Sequence, residues 1–576
     1  MAALFGILQA WSNRVTVSNL DIIPYTDMAN YILKGQWGMA VNGTWNPFFA
    51  CLLAMTMAIC RCSVYWEYPA LHLLLFIIYL FSLWSFDFFL RQMLLLHRQQ
   101  NSAEQLYVPD WVWMTIGYAL FLWSSLIMIR VSLTEPDMLL AAFFYLAAGL
   151  LLRIRRGKVG WPTYLALGSV LGLGYLTKVI MFPVSLMCLA VAMLMGAWTR
   201  RRAAYVLGTA LVFVTFSAPF VGALSTKLGK PTIGEVRTYV ALIDIDHVPT
   251  TFFWKGYDGP YGTLLHPVHK IFDRPATFEF ASPMGGSYTL LYNLTYWTEG
   301  LTPQYLPGQM AKNLAANFRF STQWWMLGLN GSIFAGLFVL FWVSGRRLLI
   351  LNDVAQFWFL LIPSLVTLGM YGILHIQSRY VGGFFVVIFL CLFFSVKLPP
   401  TLEARRLISG VTLLLLLMFL SRLNQLGPDH VLRLTNLLSL RNPNAEVVEG
   451  LRAKGIRPGD AIASLQLTHD PDEDYLGPAF LASLGRFRLV AEVFFVPEPN
   501  TADLIPFRRE ILDNNFWDTD TERQKSVIDA LAKTGARLVV STQEPRGPGA
   551  AGWSKIGNTD YYVRWLEPVS AASDGG

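Results

Sequence analysis

PALHLLLFIIYLFSLWSFDFFL, residues 69–90, is a run of 22 residues with one carboxylate, Asp87, and no lysine or arginine. A helix of about 20 mostly apolar residues crosses the hydrocarbon core of a bilayer, so this stretch reads as a transmembrane helix. Similar runs lie near 46–64, 111–130, 136–152, 162–178, 183–199, 204–222, 323–344, 355–374, 376–396 and 407–421. With the opening MAALFGILQAWSN counted, about 11–13 spans are expected. That opening is too short to cross alone, so it either leans on neighbouring helices or continues residues upstream of Met1. It also lacks the basic flank and small-residue cleavage site of a signal peptide.

Composition agrees. Of 576 residues, 54% are hydrophobic, 14% aromatic and only 14% charged, far from the balance of a soluble domain. The fold class expected is a polytopic α-helical membrane protein. Its formal charge of +7 is carried in short basic clusters between apolar runs rather than in a stripe, which argues against a nucleic-acid partner. Cys51, Cys60, Cys62, Cys188 and Cys391 all lie in or beside apolar stretches, where they read as small buried hydrophobes. No further Cys or His stands near enough to Cys60 and Cys62 to complete a metal site.

The basic clusters RIRRGK (153–158), RRR (200–202), Arg346/Arg347 and Lys397 with Arg405/Arg406 are each two spans apart, which sets them on one face, taken as cytoplasmic. The opposite face then receives TEPD (134–137), Lys178, loop 223–322, HIQSR (375–379) and everything after about 423. Parity fails once: three apparent spans separate the loop at about 15–45 from TEPD, so one of the three is expected not to cross.

From 423 onward the composition becomes that of soluble protein. A helix at 444–454, strands DAIASLQ and RLVAEVFF, a helix at 521–533 and the strand ARLVVST predict a small extracytoplasmic α/β domain over 423–576, attached to a membrane domain over 1–422. No Gly-rich phosphate loop occurs in it, and an accessory or docking role is expected ahead of direct substrate binding.

Charges at membrane depth are costly and mark sites or pathways. The extracytoplasmic side carries Asp21, Asp27, Glu135, Asp137, Lys178, His375 and Arg379 at span ends. Acids and bases converging there would suit attack of a hydroxyl on an anionic lipid-linked donor, a carboxylate taking the proton while cations hold the leaving phosphate. Each residue also has a plain structural role open to it. Asp21 or Asp27 could cap the helix that holds MANYILKGQW, and Asp27 stands where an N-cap would. Lys178 and Arg379 could be snorkelling anchors, and Glu135 before Pro136 resembles an acidic first helical turn. His375 could be structural, and GSVLGLG (168–174) reads as close helix packing.

The stretch DIIPYTDMANYILKGQWGMAVNGTWNPFFACLLA (21–54) resembles the first external loop and following span of bacterial membrane glycosyltransferases of the GT-C class. LTEPDMLLAAFFYLAAGLLLRIRRG, LGLGYLTKVIMFP, FEFASPMGGSYTLLYNLTYWTEGL and SRYVGGFFVV look like the same branch, so the resemblance covers 18 to about 396. More distantly, that branch is similar to protein O-mannosyltransferases and the lipid A aminoarabinose transferase. The resemblance implies a GT-C-like fold in a bacterial inner membrane and a polyprenyl-phosphate sugar as donor. It implies a glycan, lipid or protein hydroxyl as acceptor and inverting transfer at the extracytoplasmic face, among membrane lipids. It places the class's catalytic loop acid on Asp21, a supporting acid on Asp27 and a donor-phosphate contact on Arg379 and Tyr380. Lys178 and His375 are further phosphate-side candidates, with Glu135 and Asp137 in support. The class often has two adjacent acids in this loop, whereas Ile22 follows Asp21, so the expected mechanism needs no cofactor, a divalent metal staying open. The aromatic loop 278–301 is expected to stack on sugar or pack as a lid. A lipid-sugar flippase or transporter, and an O-antigen-type ligase, are the alternatives. The first should show internal repeats and midplane charges, which the sequence lacks; the second needs no acid in the first loop.

Overall fold

In the computed structural model the apolar runs are helices, as their length and composition require. The structure describes residues 1–17, 19–100, 108–157, 160–249, 252–280, 285–326, 329–344, 350–425, 441–466, 477–494 and 516–567. Four described helices are long and apolar enough to cross a bilayer: Val64–Gln99, Asp110–Ile129, Asp137–Arg155 and Arg200–Leu228. Shorter apolar helices include Met181–Leu194, Trp358–Ile373 and Ser378–Phe394. The chain is a polytopic helical membrane protein with a C-terminal α/β region.

The described residues form two compact units, each discontinuous in sequence. The helical unit comprises Met1–Ser18, Leu71–Gly234 and Tyr305–Ser439; the sheet unit comprises Asn19–Ala70, Glu235–Gln304 and Leu440–Gly576.

In the helical unit, helix Trp161–Thr177 packs on Arg200–Leu228 through its small residues. A Cβ at Gly168 would lie 2.5 Å from the Thr209 carbonyl oxygen, and one at Gly172 would lie 2.5 Å from Phe216 Cβ. GSVLGLG is therefore a packing stripe.

The sheet unit holds β1 (Asp258–Gly259), β2 (Gly262–Thr263), β3 (His269–Phe272), β4 (Thr277–Glu279), β5 (Ala461–Gln466), β6 (Arg488–Phe494), β7 (Leu538–Ser541), β8 (Trp553–Lys555) and β9 (Tyr562–Trp565). β1 and β2 form a small ribbon; the others make one seven-stranded sheet in the order β3-β4-β6-β5-β7-β9-β8. The centre, β6-β5-β7, is parallel, and its strands are mostly apolar, as strands covered on both faces are, with Ser464 and Glu492 buried among the apolar side chains. Ala463, Leu465, Val493, Val527, Leu531 and Val539 fill the core beneath. Asn442 caps helix Pro443–Ala453 by accepting the Ala445 N–H at 3.2 Å, and Asp520 caps Thr521–Lys533 by accepting that of Arg523 at 2.8 Å.

The C-terminal segment does not build this sheet by itself. β4, from the loop between spans, pairs antiparallel with β6, Phe278 opposite Glu492, and so carries β3 into the sheet. The boundary at 422/423 expected from composition is therefore not where the contacts divide: edge strands 200 residues upstream satisfy the hydrogen-bonding edge of β6.

Helix Pro47–Cys60 belongs to the sheet unit, where it packs on helix Ile22–Leu33. Its 14 residues rise about 21 Å, well short of the roughly 30 Å core. Discounting it leaves two spans between the first loop and TEPD and removes the parity failure. Cys60 and Cys62, at its end, are exposed and half-buried rather than buried as expected.

Candidate functional site

In the helical unit, Glu135 and Asp137 flank Pro136 at the start of helix Asp137–Arg155 and are 4% and 2% exposed. Lys178 terminates helix Trp161–Thr177, where its backbone turns extended. Arg379 and Tyr380 occupy the first turn of Ser378–Phe394. Close packing brings these ends together: a Cβ on Gly383 would stand 2.9 Å from the Ala141 Cβ. As a result Lys178 Nζ lies 2.6 Å from Asp137 Oδ1, and Arg379 Nε 3.8 Å from Asp137 Oδ2, while Arg379 also pairs with Glu135. Tyr380 floors the cluster. The Lys178 ammonium stands 3.9 Å and the Arg379 guanidinium carbon 4.9 Å from its ring centroid. Arg379 donates to its hydroxyl at 3.0 Å, and Tyr371 stacks on it at 5.2 Å.

Four of the expected residues thus meet in one ionic cluster with Tyr380. The acid of the first helical turn is Asp137 rather than Glu135, which precedes the N-cap residue Pro136, and both acids also neutralise the cations. His375 is exposed, its Nε2 2.9 Å from Gln377 Nε2.

One residue here was not read from the sequence. Arg130 follows a π-helical segment, Trp123–Ile129, with φ +65°, a backbone region uncommon for any side chain but glycine. Its guanidinium is close enough to Arg379 for like-charge repulsion, and among the described residues it has no carboxylate partner. The signal available was a lone arginine ending an apolar span four residues before TEPD. Three cations against two carboxylates leave a formal excess of one positive charge.

In the sheet unit, Asp21 and Asp27 have opposite environments. Asp21, not Asp27, is the N-cap residue of helix Ile22–Leu33. It is half-buried, its N–H donates to Asn19 Oδ1 at 3.1 Å, and it acts electrostatically on Tyr239. Asp27 lies a turn and a half inside the helix, 6% exposed, and cannot cap it. Its Oδ2 accepts the Ser287 N–H at 2.7 Å and the Ser287 hydroxyl at 2.9 Å. The next residue, Tyr288, directs its hydroxyl to Glu492 on β6 at 3.3 Å, and Trp254 Nε1 donates to the same carboxyl at 2.8 Å. The segment GGSY therefore joins two buried acids from distant parts of the sequence. Its glycines are required: Gly285 and Gly286 have φ +73° and +79°, and a Cβ on Gly285 would meet the Tyr31 hydroxyl at 2.7 Å. Tyr288 packs edge-on against Phe280 and Trp297 is buried, so that part of the aromatic loop is packed interior.

Burial pushes the Asp27 carboxyl up to about 6, against the lowering pull of its Ser287 hydrogen bonds and of Arg486, which pairs with Glu67 at 2.7 Å. Burial likewise pushes Glu492 up to about 7, against the Trp254 and Tyr288 donors. A carboxyl whose folded pKa is raised holds its proton more tightly folded than unfolded. The associated stability is complete below the ordinary values near 4 and is lost as pH rises through 6 to 7, roughly 3 kcal/mol for each group. The melting temperature of the sheet unit should therefore be higher at pH 5 than at pH 8. Glu492→Gln should raise it at pH 8 and leave it nearly unchanged at pH 5; an equal effect at both values would refute this.

No protein-family model matches the chain, and no curated protein matches it significantly. Among solved structures the chain is similar to ArnT from Cupriavidus metallidurans. For the form bound to undecaprenyl phosphate the identity is 13%, the TM-score 0.45, and 97% of this chain and 96% of that chain are covered. For the apo form the identity is 14% and the TM-score 0.39. It is also similar to the Archaeoglobus fulgidus oligosaccharyltransferase, at 12% identity and TM-score 0.46, over 94% of this chain and 67% of that one.

Proposed function

We propose that the protein transfers a sugar from a polyprenyl-phosphate donor to a hydroxyl acceptor, with inversion, on the extracytoplasmic face of a bacterial inner membrane. The observation that carries this reading is the ionic cluster of the helical unit: Lys178, Arg379 and Arg130, which has no carboxylate partner among the described residues, outnumber Glu135 and Asp137 by one charge. A polyprenyl-phosphate sugar is a phosphodiester with a single negative charge, which that excess balances. When the acceptor oxygen bonds to the anomeric carbon and the bond from that carbon to the phosphate oxygen breaks, polyprenyl phosphate departs with more negative charge than the donor had. Cations held in place by Glu135, Asp137 and Tyr380 therefore bind the departing group more strongly than the ground state, which is the condition for catalysis. The acceptor proton goes to a carboxylate, a role we assign to Asp21 from the resemblance; Asp27, committed to Ser287, supports the fold around it.

The test is incubation of the purified protein in vesicles with labelled polyprenyl-phosphate sugar. Transfer of label to an acceptor is expected, and movement of the lipid across the bilayer without transfer would refute the reading in favour of a flippase. Among variants, Arg130→Gln should weaken undecaprenyl phosphate binding by about tenfold or more, because one charge-assisted contact is lost, at unchanged thermal stability. Arg379→Gln should act at least as strongly and Lys178→Gln less, since an ammonium lacks the guanidinium's two-pronged grip. Normal binding by all three would return these residues to the role of interfacial anchors.

A further inference from the structure

Residues 257–266 and 296–304 of the sheet unit lie side by side. β1 and β2 form a hairpin, Gly262 bridges to Leu301, the Thr302 N–H donates to the Tyr261 carbonyl at 2.8 Å, and the Leu265 N–H to that of Glu299 at 3.0 Å. This frame carries four half-buried rings in two stacked pairs. Tyr257 and Tyr261 are 6.2 Å apart at 29°, and His266 and Tyr296 are 3.9 Å apart at 7°. Polar groups border them: Glu299 Oε2 lies 3.0 Å from His266 Nε2. Asp246 accepts the Gln304 N–H on Oδ2 at 3.0 Å and acts electrostatically on Tyr257. Its other oxygen is the telling feature. Asp246 is 8% exposed, and Oδ1 is buried without a hydrogen-bond partner among the described residues. Buried acceptors are almost always satisfied, so an unpartnered one next to the half-buried Tyr257 leaves a hydrogen-bonding demand that a bound donor can meet.

A saccharide matches that demand. Its C–H face packs on flat aromatic rings, and its hydroxyls donate to carboxylates at their edge. Rings fixed by backbone pairing also lose little freedom on binding. We propose that this patch binds a saccharide and hence that the acceptor hydroxyl belongs to a glycan. Calling the bound sugar an acceptor rests on the transfer reading above; the binding itself does not.

Saturation-transfer NMR on the detergent-purified full chain, with maltotriose, cellotriose, mannotriose and chitotriose as probes, tests this. At least one should receive magnetisation on its ring protons. Affinity should fall about tenfold or more in Tyr257→Ala/Tyr261→Ala and in Asp246→Asn, and be retained in Tyr261→Phe, which keeps the ring. Undecaprenyl phosphate binding, measured in parallel, should be unchanged in every variant and shows that each is folded. No signal from any of the four sugars, or equal affinity in the double alanine variant, overturns the proposal. Saccharide binding by a wild-type protein that fails to bind undecaprenyl phosphate would refute the transfer reading and leave the saccharide site standing.

Discussion

Asp21→Asn should lower turnover by at least about 100-fold while leaving donor affinity nearly intact. The amide keeps the size of the side chain and its ability to accept a hydrogen bond but cannot take a proton, and a positioned general base contributes roughly 100- to 10,000-fold. Asp27→Asn should do far less. The amide oxygen can still accept the Ser287 N–H now held at 2.7 Å, and a neutral group suits a site that already pushes the carboxyl up to about 6. Stopped assays on both variants at matched thermal stability decide between them. Near-normal turnover by Asp21→Asn removes it from the chemistry, and a larger loss from Asp27→Asn transfers the base to that residue.

Asp137→Ala should be the most damaging substitution in the helical unit. It deprives Lys178 of its partner at 2.6 Å and Arg379 of one of two carboxylates, at a position only 2% exposed. Removing one side of a buried pair costs about 3–5 kcal/mol, because the desolvated charge left behind is uncompensated. The Lys178 side chain keeps 24% of its exposure, which places the cost toward the lower end. A melting temperature well below wild type and poor recovery from detergent are expected. Asp137→Ala/Lys178→Met should regain much of the stability, since both charges are gone, yet still bind undecaprenyl phosphate weakly. Restored binding in that double variant would show that Lys178 only balances Asp137.

The two carboxylate pairs show how far local sequence carries. That Glu135, Asp137, Lys178 and Arg379 belong together was legible, because charge at the end of an apolar run is costly and the basic clusters set all four on one face. Arg130 escaped because one arginine closing a span looks like any interfacial anchor; its lack of a carboxylate appears only once the neighbours are in place. Glu492 escaped for a related reason. In RLVAEVFF it alternates like a solvent-facing strand residue, but Trp254 and Tyr288 close on its carboxyl, so the acid is wholly buried.

By itself the sequence determined that the chain is a helical membrane protein, where its major apolar helices run, and that strands Ala461–Gln466, Arg488–Phe494 and Leu538–Ser541 alternate with helices near the C-terminus. Those properties follow from transfer of apolar side chains out of water and from short-range periodicity, which neighbouring residues specify. Tertiary structure alone decided that Pro47–Cys60 packs in the sheet unit, that β3 and β4 complete the sheet, and that Ser287 and Tyr288 bind Asp27 and Glu492 from 260 and 204 residues away. A buried charge or an open strand edge needs a partner, but local pattern does not name it. The partner is whichever group the packed chain brings within hydrogen-bond reach.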